Sequence, residues 1–228
     1  TGDGGAIRLQ NVSGQDISGP GSPFDSSEWN TVEIFDNIIV NNVAGNAGAI
    51  SLQDTAKAVI AHNTIANNDS TATTLAALAP DLQSSQARGA GVVSYEHSND
   101  LQDAIVGFPW SDPEFASYSN PRLVNNIIWH NRSFSWDAAL GGGIGGLVPP
   151  PTNPEYHDLE VYNMPSFFLD PENCVLTDLS VPGAGYDDGT NVDGDPEFID
   201  EYVNGPQGLL VETEFNALQG PLQVAVAF

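Results

Sequence analysis

The densest set of potential metal ligands runs Asp187-Asp188-Gly189-Thr190-Asn191-Val192-Asp193-Gly194-Asp195, four carboxylates and an amide within nine residues, with Asp200 just beyond. Hard oxygen donors at alternating positions, separated by glycine, suit Ca²⁺. Asp187, Asp188, Asn191, Asp193, Asp195 and Asp200 are therefore the candidate metal set. The EF-hand template does not fit: with its glycine at Gly194, Asn191, Asp193 and Asp200 fall correctly, but Gly189 stands where the first Asp belongs. The competing reading, which the sequence favours, is a solvated acidic turn in which Asp195 caps backbone groups ahead of Pro196.

A second chemistry is carbohydrate recognition. Trp110, Tyr118, Trp129 and Trp136, with Arg132 beside them, could supply rings and a charge to a sugar-stacking platform. The simpler reading packs the same rings against the rest of the chain, and it is preferred. No catalytic residue is assigned, and the sequence leans against an enzyme. The chain has 5 basic and 30 acidic side chains. The only bases available are thus Arg8, Lys57, Arg88, Arg122 and Arg132, none beside clustered acids in a repeated motif. Paired carboxylates for glycoside hydrolysis would have to recur at matching positions, and Asp36, Asp54 and Asp69 do not. His62, His97, His130 and His157 are scattered, without HxH, HExxH or a defensible Ser-His-Asp order.

The elements that must position these residues are internal repeats. Asp36-Asn-Ile-Ile-Val-Asn-Asn42, His62-Asn-Thr-Ile-Ala-Asn-Asn68 and Asn125-Asn-Ile-Ile-Trp-His-Asn131 align column by column. Asn37, Asn63 and Asn126 form one column and Asn42, Asn68 and Asn131 another, with Ile39, Ile65 and Ile128 between them. Gly5-Ala-Ile7, Gly48-Ala-Ile50 and Gly89-Ala-Gly-Val92 recur as well. These segments are rich in Ile, Val, Asn and Gly and alternate with period 2, so they read as short strands of a β-solenoid. Stacked Ile would fill the core, and stacked Asn would link side-chain amides from turn to turn and bond backbone at bends. Glycine before Ala-Ile suits a further tight bend.

Here the chain resembles a known family. The units Gly4-Gly-Ala-Ile7, Asp36–Asn42 and His62–Asn68 are similar to the right-handed parallel β-helix repeats of pectate-lyase-like proteins, over about residues 4–68 and 89–132. The resemblance implies the fold more strongly than the activity, since that family spans polysaccharide lyases, glycosidases, epimerases, adhesins and inert surface modules. The Asn-Thr-Asp, Asp-Asp and Gly-His-Gly set of its polygalacturonases is not present as a set, and Asp187-Asp188 alone is weak. Asn191–Asp200 resembles the GDPxFVD element near the C-terminal end of bacterial surface β-helix proteins.

Two segments interrupt the repeats. Residues 69–88 include Thr71–Leu78, read as a short helix, and residues 96–121 carry Phe108, Trp110, Phe115 and Tyr118. Both read as loops on one edge, where solenoids often carry binding faces. The chain divides at residue 132: residues 1–132 are the repeats, and 133–228 are a Gly141–Gly146 and Pro149–Pro151 linker followed by an acidic β continuation with no Lys or Arg. Cys174 reads as a buried strand residue, and the sequons at Asn68 and Asn131 read as structural.

The formal charge of −25 excludes nucleic acid and anionic membrane surfaces as charge-driven partners. No apolar run reaches the roughly 18 residues of a membrane helix. The chain starts at Thr1 and ends on the apolar run Leu222–Phe228, so sequence is expected to continue at both ends. The expectation is an all-β, right-handed parallel β-helix with loop insertions and an acidic C-terminal portion. Its expected role is a non-catalytic extracellular or cell-surface module whose partners are flanking domains or further copies of itself. Carbohydrate binding or processing is the alternative, and Ca²⁺ the one cofactor considered.

Overall fold

The computed structural model describes residues 2–12, 29–104, 117–149, 154–179 and 189–199. The chain there is mostly short β-strands in parallel sheets, with very few helical residues. Strands are numbered in chain order. The first sheet runs β1 (Ile7–Gln10), β5 (Ile50–Gln53), β9 (Val92–Ser94), β16 (Leu159–Val161). The second holds β2 (Val32–Phe35), β6 (Ala58–Ala61), β10 (Arg122–Val124) and β17 (Pro171–Glu172) in that spatial order. The third holds β3 (Ile38–Val40), β7 (Thr64–Ala66), β11 (Ile127–Trp129), β18 (Val175–Leu176) and β19 (Val192–Asp193). In the fourth, β4 (Val43–Ala44), β8 (Asp69–Ser70) and β12 (Arg132–Ser133) are parallel, and β15 (Glu155–Tyr156) pairs antiparallel with β12. From β1 to β12 the chain therefore visits the four sheets in one repeating order.

The strands are short because single left-handed residues end them. Asp36, His62, Asn125 and Asn173, at φ of 52–58°, turn the chain from the second sheet to the third. Asn41, Asn67 and His130, at similar φ, turn it from the third to the fourth. Asn and Asp adopt this conformation at least cost among non-glycine residues. The strained residue thus stands one position ahead of each column Asn, and the column Asn itself is not left-handed. His62 and His130 are thus turn residues.

Period-2 alternation sends one side chain of each pair inward. Ile34, Ile60 and Leu123 stack in register in the second sheet, as do Ile39, Ile65, Ile128 and Leu176 in the third. With Ile50, Leu52, Val92, Leu159 and Val161 from the first sheet, they form one buried cluster. Glycine serves proximity here. A Cβ on Gly48 would lie 2.5 Å from Asp69 O, and one on Gly91 would lie 2.3 Å from Asp158 O. Neither has a positive φ, so close backbone approach, rather than the tight bend expected, demands glycine there.

Three local expectations are corrected. Asp69–Ser70 belongs to the repeat, as β8 between β4 and β12, so the first insertion starts after Ser70. Residues 71–78 form turns, not a helix: Thr71 Oγ1 donates to Ala44 O at 3.0 Å and meets Thr73 Oγ1, holding the β-branched pair out of helical geometry. The Gly141–Gly146 run is not a linker. It lies within the connection and start of the second strand of an antiparallel hairpin, β13 (Ser135–Asp137) with β14 (Gly146–Val148). The second insertion contains a helix the sequence reading missed, α1 (Asn99–Ala104), capped where Leu101 N donates to Ser98 Oγ.

Candidate functional site

The two Asn columns are continuous hydrogen-bond ladders. Asn37 N and Nδ2 both donate to Asn63 Oδ1 at 3.0 Å, and Asn63 N and Nδ2 donate to Asn126 Oδ1 at 2.9 and 3.1 Å. In the other column Asn42 donates twice to Asn68, and Asn68 twice to Asn131, at 2.9–3.2 Å. The amides also satisfy strand-end carbonyls, as when Asn126 Nδ2 donates to Ile60 O and Asn131 Nδ2 to Ile65 O. Asn68 and Asn131 are fully buried, in keeping with a structural role for those sequons.

Both columns continue where asparagine stops. Cys174 takes the next place in the first: Asn126 N donates to its sulfur at 3.3 Å. Cys174 N donates to Asn191 Oδ1 at 2.9 Å. Asp158 takes the next place in the second, its Oδ1 accepting from Asn131 N and Nδ2 and its Oδ2 from Thr177 N. Burial raises the Asp158 carboxyl above its ordinary range, opposed by the Thr177 and Asn131 hydrogen bonds.

The expected metal set does not assemble among the described residues. Asn191 is buried and spends its amide in the column, with Nδ2 donating to Pro171 O at 2.6 Å. Asp193 is exposed on β19, while Asp195 Oδ1 accepts from Glu197 N at 2.7 Å, which is turn chemistry. Asp187, Asp188 and Asp200 lie outside the described residues. Among those described, no group of three or more His, Cys, Asp or Glu side chains could hold a metal ion.

Among the described residues the expected sugar platform does not come together either. Tyr118 is in the core, its hydroxyl donating to Phe168 O and its ring edge-on to Phe167. Trp129 faces away from the core cluster but is 4% exposed, stacked on His130 and met edge-on by Phe198. His130 stacks in turn on Tyr156, and this burial lowers its pKa to about 4 against the opposing charge of Asp195. Arg132 does not face outward: it is buried, and its Nε and Nη2 grip Asp69 Oδ1 and Oδ2 at 2.7 and 2.6 Å across β12 and β8. Trp136 lies over Gly145, where an added Cβ would be 1.9 Å from the indole. Trp110 lies outside the described residues.

Polar groups do converge on the outer flank of the first sheet, beneath the first insertion. Arg88 Nη1 pairs with Glu160 Oε1 at 3.2 Å, its Nη2 donates to Asn163 Oδ1 at 2.9 Å, and its guanidinium sits 4.3 Å over the Tyr162 ring. Tyr162 stacks on Tyr95 at 4.8 Å, and its hydroxyl donates to Ala76 O in the insertion at 2.9 Å. Ala47, Val93 and Tyr162 form a small second core here, with Tyr95 against it. Asn46 Nδ2 donates to Thr74 Oγ1 of the insertion at 2.9 Å, and Asn46 pairs with Asp3 of the preceding strand segment. Burial raises the Tyr95 phenol, with the Asp3 charge adding to it. A side-chain hydrogen bond with Asn46 pulls the other way. At the root of the second insertion, His97 is buried 3.7 Å from Asp54, and burial lowers its pKa to about 4 although that carboxylate opposes the shift.

No protein-family model, curated protein or solved structure matches this chain.

Proposed function

We propose that this chain is a non-catalytic structural or interaction module, built as a right-handed parallel β-helix and placed outside the cell or on its surface. The repeating visit to four sheets supports the β-helix reading, and the resemblance of the repeats supplies its hand. The observation that carries the functional reading is how the polar side chains are spent. Asn, Asp158 and Asn191 stitch one turn to the next, and Arg132 neutralises Asp69 in the interior. Tyr118, Trp129, Arg132 and Trp136 are each used in packing or pairing rather than turned to a common groove. Among the described residues, β2 and β3 on one side and β17 and β19 on the other end their sheets. Such edges need covering, so flanking domains or further copies of the chain are its partners on this reading.

Incubation with neutral and acidic polysaccharides, with Ca²⁺ or chelator, tests the proposal by retention and product masses. The expected result is neither retention nor product. Retention without cleavage would replace the reading by carbohydrate binding, and unsaturated or hydrolysed products would replace it by an enzyme.

A further inference from the structure

We propose that the edge formed by β2, β3 and β4 takes one further parallel pass from another polypeptide segment, one that carries two asparagines five residues apart. The proposal rests on the reading of the chain as an interaction module and names the chemistry of its partner. Each pass bonds the one before it by the same rule. Thr64 N, Ile127 N and Val175 N donate to the carbonyls of Asn37, Asn63 and Asn126 at 2.8–2.9 Å. Asp69 N, Arg132 N and His157 N donate likewise to Asn42, Asn68 and Asn131 at 2.7–2.9 Å. In return the earlier asparagine donates its N and Nδ2 to the Oδ1 of the next column residue. Ile38 and Val43 hold the places of Thr64 and Asp69 on the first pass. Among the described residues no carbonyl meets their N–H groups, and nothing donates to Asn37 Oδ1 or Asn42 Oδ1. Both ladders thus break off at an open edge that offers two donors and two acceptors in a fixed pattern.

The pattern selects its occupant. At each of two places the edge needs a residue that supplies a backbone N–H, a side-chain N–H and a carbonyl together, as asparagine does along the ladders. The two places lie five residues apart, as from Asn37 to Asn42, Asn63 to Asn68 and Asn126 to Asn131. Main-chain pairing along an added strand supplies affinity, and the asparagines supply register. A second copy does not meet these terms. Two such edges related by a two-fold axis would set acceptor against acceptor. The far end of the chain fits no better: five residues after Asn191 stands Pro196, which has neither N–H nor amide. The charge of −25 on each copy also opposes stacking. The apolar side chains agree with an unfinished edge. On the outer face of the third sheet Ile38 is 64% exposed, whereas Ile127 and Val175, flanked by strands on both sides, are half-buried.

The test joins a copy of residues 58–70, which holds Asn63 and Asn68, ahead of Thr1 of the full chain through a flexible Gly/Ser linker. The linker gives the copy an effective concentration on the order of millimolar. Amide hydrogen exchange is then followed residue by residue. Exchange at Ile38 and Val43 should slow by about tenfold or more relative to the chain without the copy. A copy carrying Asn63→Asp and Asn68→Asp should give no slowing, because its carboxylates would face the Asn37 and Asn42 acceptors. Three outcomes overturn the proposal: equal slowing by both copies, no slowing by the asparagine copy, or protection of Ile38 and Val43 that grows with concentration in the chain without a copy. The last would assign the edge to a second copy. The polysaccharide incubation keeps the two readings apart. No retention together with no slowing removes this proposal alone, whereas retention or product removes the reading it rests on.

Discussion

Asp158 Oδ1 accepts both donors of Asn131, backbone N at 3.2 Å and Nδ2 at 2.9 Å, just as Asn131 Oδ1 accepts both donors of Asn68. The difference lies in the second oxygen. Asp158 Oδ2 accepts from Thr177 N at 2.9 Å, so this place in the column needs an acceptor on both sides. An amide would turn a donor toward Thr177. Asp158→Asn, although it restores the column's residue type, should therefore destabilise the fold by about 1–3 kcal/mol, the cost of one unsatisfied buried donor. Denaturant unfolding checks this, and a variant at or above wild-type stability would refute it.

The place of Cys174 makes the opposite prediction. Its sulfur accepts weakly from Asn126 N at 3.3 Å and lies 3.9 Å from Asn126 Nδ2, where Asn63 receives the same two donors from Asn37 at 3.0 Å. Its neighbours along the column, Asn126 and Asn191, are both asparagine. Cys174→Asn places a stronger acceptor there and an amide able to donate to the strand-end carbonyls the thiol now faces, Glu172 O and Leu123 O. Stability should rise by about 0.5–1.5 kcal/mol, the net worth of one good hydrogen bond. A raised thermal midpoint would show it, and a lowered one would mean that the site is shaped to the thiol.

These two positions also mark how far the sequence could be read. Asn37, Asn63 and Asn126 were legible because the same residue repeats beside the same Ile, and the ladders follow from that. Cys174 and Asn191 hold the same backbone place with a changed residue or changed surroundings. The signal was present in Asn173-Cys174-Val175-Leu176, which matches Asn125-Asn126-Ile127-Ile128 once Cys is allowed to stand for Asn. The acidic residues around Asn191, which suggested a metal set or a solvated turn, hid it from that alignment. Asp158 was less visible still, because a hairpin and an antiparallel strand intervene before the column resumes. The polar flank could not be read at all. Asp3, Asn46, Tyr95 and Glu160 share no motif, and only the stacking of successive passes and the docking of Thr74 and Ala76 bring them together.

His97, which is buried, and His130, which is half-buried, set a pH dependence. Burial lowers both His97 and His130 from 6.5 to about 4 in the folded chain. Between those values the unfolded chain takes up protons that the folded chain refuses, so stability rises with pH across the window and is lost as pH falls from about 6.5 toward 4. Asp158 works in the other direction, since its raised carboxyl makes ionisation costly in the folded state as pH rises past the ordinary carboxylate range. Urea midpoints measured from pH 4 to 7.5 should fall on the acid side. The fall should be shallower in His97→Gln and in His130→Gln. A flat wild-type profile, or variants with undiminished slope, would contradict it.

Arg132 and Asp69 offer the sharpest separation of structure from function. The pair is buried and bidentate, and it joins β12 to β8 at register partners. Two charges taken from water regain little net energy from each other, but one charge left alone inside costs about 3–5 kcal/mol. Arg132→Met and Asp69→Leu should each destabilise by that order, while the double replacement should recover most of the loss. Were Arg132 instead a ligand-facing cation, its single replacement would leave stability within about 0.5 kcal/mol, as surface substitutions do, and the double variant would recover nothing. Unfolding curves for the two single variants and the double variant decide between these outcomes without any ligand having to be identified.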